Sequence, residues 1–119
     1  MSGKITTHVL DISLGVPAGG VYLELYKIYS SGKKELMISN RTNEDGRLNE
    51  PLLRGNQMTK GSYELLFFVG DYFSKRLKNG QEIQFLDQIP IRFGIANVEE
   101  HYHVPLLLAP GGYSTYRGS

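Results

Sequence analysis

The sequence predicts an all-β domain, an antiparallel β-sandwich, on three observations. Apolar and polar residues alternate with a period of two in several separate segments. Glycine-rich and proline-rich punctuation falls between those segments at near-regular intervals. Only one stretch has helical spacing, and it is short. Many short strands with Gly-rich turns are the pattern of two antiparallel sheets packed face to face.

The elements follow in order. Ile5, Thr7 and Val9 alternate with Thr6, His8 and Leu10, which reads as a first strand ending before the turn Gly15-Val-Pro-Ala-Gly-Gly20. Val21, Leu23 and Leu25 alternate with Tyr22, Glu24 and Tyr26. Asn43-Glu-Asp-Gly46 is a turn from which Arg47-Leu48 leave into a strand. Tyr63, Leu65, Phe67 and Val69 alternate with Glu64, Leu66 and Phe68. The run Asp71 to Lys78 breaks the pattern: it opens on a capping residue, sets Phe73 and Leu77 four apart on one face, and stops before Asn79-Gly80, so a short helix is expected there. Ile89 to Ala96 is again a strand, and Pro90 within it predicts a sheet edge or a strand start. His101 to Leu108 forms the penultimate strand. After the turn Ala109-Pro-Gly-Gly112 come Tyr113 to Tyr116, residues of strong strand propensity. Two candidate edges predict a homo-oligomer built by sheet extension, because an unpaired edge has to be covered, twisted away or paired.

Length and composition narrow the function. A chain of 119 residues makes one domain, residues 1–119, with a modest core. Thirteen Lys and Arg against twelve Asp and Glu give a net charge of +1, which argues against nucleic acid or a membrane surface as partner. There is no cysteine, hence no disulfide framework, no thiolate nucleophile and no Cys-based zinc site. No run is long enough to span a membrane, and the first residues lack the apolar region of a signal peptide. A cytoplasmic home is expected; a periplasmic or secreted one is equally compatible with the absence of cysteine. No Ser-Lys-Leu ending supports peroxisomal import.

The chemistry-bearing residues are few. The histidines are His8, His101 and His103. Taken singly, each is most simply a half-buried or surface imidazole; gathered in one cleft, they would supply a general base. His101-x-His103 is also a metal-ligand spacing, with His8 as a third ligand, although nothing in the sequence identifies a supporting shell. Arg47 is either a charge at the rim of its turn or a fork that grips a planar ligand bidentately. The chain stops at Tyr116-Arg117-Gly118-Ser119. If the last strand holds that tail in place, it delivers a guanidinium, a hydroxyl and a carboxylate to one site; otherwise it is a polar end. No Gly-x-Ser-x-Gly elbow or phosphate-binding loop is present.

Thr7-His-Val-Leu-Asp11 with Gly15-Val-Pro-Ala18, Thr42-Asn-Glu-Asp-Gly-Arg-Leu48, His101-Tyr-His-Val-Pro-Leu-Leu-Leu108 and the Tyr116-Arg-Gly-Ser119 end resemble, together and in order, the 5-hydroxyisourate hydrolase family of transthyretin-related proteins. The resemblance spans the whole chain. One departure is Ala109-Pro-Gly-Gly-Tyr113, where Ser-Pro-Tyr/Phe-Ser-Tyr is usual. The resemblance implies a prealbumin-like sandwich of two four-stranded sheets with one short helix, and a homotetramer, a dimer of dimers, with the cleft in a channel between dimers. It implies catalytic His8, Arg47 and His103, and substrate contacts from His8, Arg47, Tyr116, Arg117 and Ser119.

It also implies hydrolysis of 5-hydroxyisourate to 2-oxo-4-hydroxy-4-carboxy-5-ureidoimidazoline, with no cofactor and no metal. Water is then the nucleophile, deprotonated by His8 or His103, with arginine stabilising the oxyanion. His101 is assigned mainly a structural place beside the site. Two other readings stand beside this one: a non-enzymatic carrier of a small aromatic ligand, and a zinc amidohydrolase.

Overall fold

The alternating segments form two sheets that close over a shared core. The computed structural model describes residues 2–119. Chain order is β1 (Lys4–Asp11), β2 (Val16–Pro17), β3 (Tyr22–Ile28), β4 (Lys34–Arg41), β5 (Leu53–Arg54), a short 3₁₀ turn at Gly55–Gln57, β6 (Gly61–Phe68), α1 (Val69–Leu77), β7 (Gln88–Ile95), β8 (His101–Ala109) and β9 (Gly112–Thr115). One sheet runs β2-β1-β8-β9, with the two-residue β5 also paired to β1; the other runs β4-β3-β6-β7. The inward residues expected from the alternation do face the core. Ile5 and Val9, Val21, Leu23 and Leu25, and Tyr63, Leu65 and Phe67 are all fully buried.

One pairing departs from the antiparallel rule. β1 and β8 run parallel, Lys4 opposite His101 through Asp11 opposite Leu108. They come from the two ends of the chain, so no hairpin constrains their direction. Both expected edges are present: β7, with Pro90, ends one sheet, and β9 ends the other. β4, a strand that the alternation did not announce, is the opposite edge of the β7 sheet and is exposed along nearly its whole length.

The helix begins two residues earlier than its sequence predicts. The Asp87 carbonyl accepts from both the Val69 and Gly70 amides at 2.9 Å, satisfying two of the donors that a helix start leaves free. Phe73 is buried on the predicted face, and Lys78 closes the helix in the left-handed conformation, φ 49°. Asp11, at the end of β1, anchors this helix: its Oδ2 accepts from the Tyr72 hydroxyl at 2.7 Å and lies 2.7 Å from Arg76 Nε. Arg76 Nε is not aligned for a hydrogen bond, so that contact is Coulombic. Among the described residues no helix is long and apolar enough to cross a membrane.

Candidate active site

The parallel pairing of β1 and β8 builds the site. Alternate strand residues share a face, so Lys4, Thr6 and His8 stand on the outer surface of the sheet beside His101 and His103. The register puts Thr6 opposite His103. The Thr6 hydroxyl lies between the two imidazoles, 2.6 Å from His101 Nε2 and 2.8 Å from His103 Nδ1.

The predicted turn supplies the arginine. Asn43 Oδ1 accepts from the amides of Asp45 and Arg47 at 2.9 and 3.1 Å. Gly46 has φ 75°, and a Cβ there would collide with the Val9 carbonyl, so only glycine fits. The Gly46 carbonyl accepts from the Val9 amide at 2.8 Å, and Arg47 bridges to His8 across the strand gap. Arg47 does not lead into a strand as expected; this one isolated bridge holds it. Its guanidinium makes no hydrogen bond or ion pair among the described residues. His8 is engaged by the same turn: Nε2 is 2.8 Å from the Asp45 carbonyl. A carbonyl can only accept, so Nε2 carries the hydrogen and donates.

The tail is held rather than frayed, although regular strand ends at Thr115. The Gly118 amide donates to the His103 carbonyl at 2.9 Å, and a Cβ at 118 would overlap the His103 ring. Arg117 Nη2 donates to Glu100 Oε1 at 2.9 Å and to the His101 carbonyl at 3.2 Å, while its guanidinium lies 4.4 Å from the Tyr102 ring centre. Glu100, which accepts that bond, is held below the usual carboxylate range by it.

These elements surround a cavity of about 420 Å³ whose wall includes Lys4, Thr6, Arg47, His101, His103 and Ser119. Of the residues singled out in the sequence, Arg47, His103 and Ser119 meet in it. His8 stands behind them, its ring bonded to the turn; Tyr116 and Arg117 lie along the tail outside the wall. His101, expected to be mainly structural, lines the cavity. Lys4 and Thr6 were not singled out as functional, yet their outward parity on the His8 strand was a legible signal.

The electrostatics keep the two β8 imidazoles neutral. Burial, then the charges of Arg47 and of the neighbouring His101 and His8, hold His103 below the ordinary imidazole range. Burial, then Lys4 and Arg117, do the same for His101. Neutral imidazoles beside an unpaired guanidinium can accept a proton next to a group that stabilises negative charge, which is the equipment of hydrolysis. No group of three His, Asp or Glu among the described residues is arranged to hold a metal ion.

Fold and site together define a transthyretin-like sandwich with a histidine and arginine cleft on its β1–β8 face. The family model described as HIUase/Transthyretin matches residues 5–118, and the chain belongs to that family. A 5-hydroxyisourate hydrolase of Halalkalibacterium halodurans is 61% identical, over 100% of both chains. The structure of Klebsiella pneumoniae 5-hydroxyisourate hydrolase is 35% identical with a TM-score of 0.79, over 98% of this chain and 94% of that one. The structure described as (S)-allantoin synthase is 43% identical with a TM-score of 0.90; it covers 99% of this chain, which spans only 44% of that longer one. The chain is a hydrolase of this family.

Proposed function

We propose that the chain hydrolyses 5-hydroxyisourate at a ring amide bond, giving 2-oxo-4-hydroxy-4-carboxy-5-ureidoimidazoline. The observation that carries this reading is the meeting of Arg47, His103 and Ser119, from three distant segments, in one cleft of a chain 61% identical to a hydrolase of that name. His103 is the general base. Its Nδ1 is turned to Thr6, which leaves Nε2 as the ring nitrogen free to take a proton. His8 suits the role less, because its Nε2 already donates to the Asp45 carbonyl; its place is to steady the turn that carries Arg47 and to contact the substrate.

The steps balance without a cofactor. His103 Nε2 takes a proton from water as the oxygen attacks the ring carbonyl. Negative charge develops on the carbonyl oxygen and is met by the Arg47 guanidinium. The intermediate collapses with cleavage of the C–N bond, and the departing nitrogen takes the proton back from the His103 imidazolium. The carbonyl carbon becomes a carboxylic acid, which releases the second water proton to solvent and is left as a carboxylate. Ser119 contacts the bound ring, and Arg117 and Gly118 hold the tail so that Ser119 reaches it.

The active unit is proposed to be a homotetramer. Sheet edges are open at β4 and β7 of one sheet and at β9 of the other, and large apolar side chains stand exposed near the sheet ends: Ile12, Leu14, Val16, Tyr113 and Tyr116. The decisive assay adds the protein to 5-hydroxyisourate freshly made from urate and follows its absorbance decay, with light scattering on the same sample. Acceleration that survives dialysis against chelator supports the reading. Decay no faster than in buffer overturns it, and loss on chelation with recovery on added zinc replaces it with a metal-dependent amidohydrolase.

A further inference from the structure

We infer that Thr6 is a positioning residue that fixes the proton on His103, so that the imidazole presents its bare Nε2 to the cleft. The inference rests on the reading of His103 as general base. A threonine hydroxyl carries one hydrogen and can accept others. Here it stands 2.6 Å from His101 Nε2 and 2.8 Å from His103 Nδ1. It cannot donate to both, so at least one ring must donate to it.

Three arrangements are available. In the first, Thr6 donates to His101 Nε2 and accepts from His103 Nδ1–H. In the second, the direction is reversed, and His103 carries its hydrogen on Nε2. In the third, both rings donate, and the threonine hydrogen has no acceptor. The third leaves a donor unsatisfied in a half-buried place, which is costly. The first is the arrangement that leaves His103 Nε2 bare, as its reading as general base requires. The first and the second both leave the hydroxyl satisfied with both rings neutral, the state that burial and the surrounding Lys4, Arg47, His8 and Arg117 favour.

The first arrangement has a consequence for His101. With Nε2 accepting from Thr6, its hydrogen sits on Nδ1, and it acts on His103 only through the threonine. When His103 takes up a proton from water, its Nδ1–H bond to Thr6 Oγ1 strengthens, because the donor is now a cation. The hydroxyl in turn polarises toward His101. The chain His103–Thr6–His101 therefore stabilises the imidazolium that forms during the reaction, in a cleft where, among the described residues, Lys4 and Arg47 stand unpaired by the nearby carboxylates: Glu50 in the wall pairs with Arg54, and Glu100 beside it with Arg117.

Two substitutions separate this role from packing. Thr6→Val keeps the branched shape and removes the hydroxyl; Thr6→Ser keeps the hydroxyl and removes a methyl group. Nitrogen-15 spectra of ring-labelled histidine in the ligand-free protein, with His103 assigned by its loss in His103→Ala, report directly which nitrogen is protonated. Wild type and Thr6→Ser should show His103 protonated at Nδ1; Thr6→Val should shift it toward the Nε2–H form. In turnover, Thr6→Val should lose about tenfold or more in kcat with KM little changed, a part of the ~10²–10⁴ that a general base supplies, and Thr6→Ser should recover most of it. Wild-type His103 protonated at Nε2, or Thr6→Val with native kcat and unchanged spectra, overturns the inference. The spectra need no substrate. If the wild type fails to hydrolyse 5-hydroxyisourate while His103 is protonated at Nδ1, the assigned reaction is wrong and the tautomer lock still holds.

Discussion

The two faces of β1 carry polar side chains to opposite fates. On the inner face, Thr7 donates to the Val104 carbonyl at 2.7 Å, and Asp11 accepts from Ser13 and Tyr72 and lies against Arg76; both are buried and fully partnered. On the outer face, Lys4, Thr6 and His8 are half-buried, and the two imidazoles beside them still have nitrogens turned toward open space. The same strand thus holds closed polar groups on one face and an open cluster on the other, at residues of opposite parity. A closed cluster can only stabilise. An open one has unsatisfied capacity to offer a ligand, which separates the candidate site from an ordinary buried network.

The comparison breaks most sharply under substitution. His103→Ala should lower kcat/KM by ~10²–10⁴ while circular dichroism and the thermal midpoint change little. A large loss of midpoint would move His103 to the closed class. Asp11→Ala should do the reverse. It strands Arg76 and the Tyr72 hydroxyl in partly buried positions, and removing one partner of a buried pair costs ~3–5 kcal/mol; chemical denaturation would show it, with turnover per folded molecule retained. Stability within about 1 kcal/mol of wild type would mean that Arg76 simply turns to solvent. Arg47→Lys sits between these two. It should cost at least about tenfold in kcat/KM at unchanged stability, because one charge-assisted hydrogen bond contributes ~1.5–3 kcal/mol and an ammonium cannot copy the fork. Native kinetics would return Arg47 to a charge at the rim.

Much of the fold was legible because burial imposes a period. Leu23, Leu25, Leu65 and Phe67 face one core, so their strands announce themselves. β4 did not, because an edge strand exposed along nearly all of Lys34 to Arg41 buries only Ile38, and that in part, and so keeps no alternation. The start of α1 is not legible locally, because the partner of its first amides, the Asp87 carbonyl, lies far along the chain. The site divided in the same way. Arg47 and His103 stood out by residue type and motif. Thr6 did not, since a threonine in a strand is ordinary until the parallel register sets it between two rings. The parallel register itself was invisible, because pairing between distant segments leaves no local mark. The clamp on the tail by Glu100 was hidden for that reason too.

The smallest expected effect is also the one that tests both clusters at once. Each shifts a titration, in separate windows of pH. His103 and His101 have their pKa values lowered by burial and by neighbouring cations, so below about 6.5 an unfolded chain binds protons that the folded one does not. Their contribution to stability is full above that value and is lost as pH falls toward the depressed folded values. Asp11 is buried, which alone would raise its pKa, but bonds from Ser13 and Tyr72 and the charge of Arg76 outweigh that and lower it. Its contribution is full above about 3.9 and is lost only as pH falls further. Thermal midpoints measured from pH 8 to pH 3 should therefore fall in two stages. His103→Ala should shrink the upper stage and leave the lower one, and Asp11→Asn should do the opposite. The acid limb of kcat/KM in the wild type should track the upper stage, with its midpoint below 6.5, because the base must be neutral to act. An acid limb at or above 6.5, or an upper stage of native size in His103→Ala, would show that the cleft does not hold this imidazole neutral, and the distinction between the two faces of β1 would then rest on packing alone.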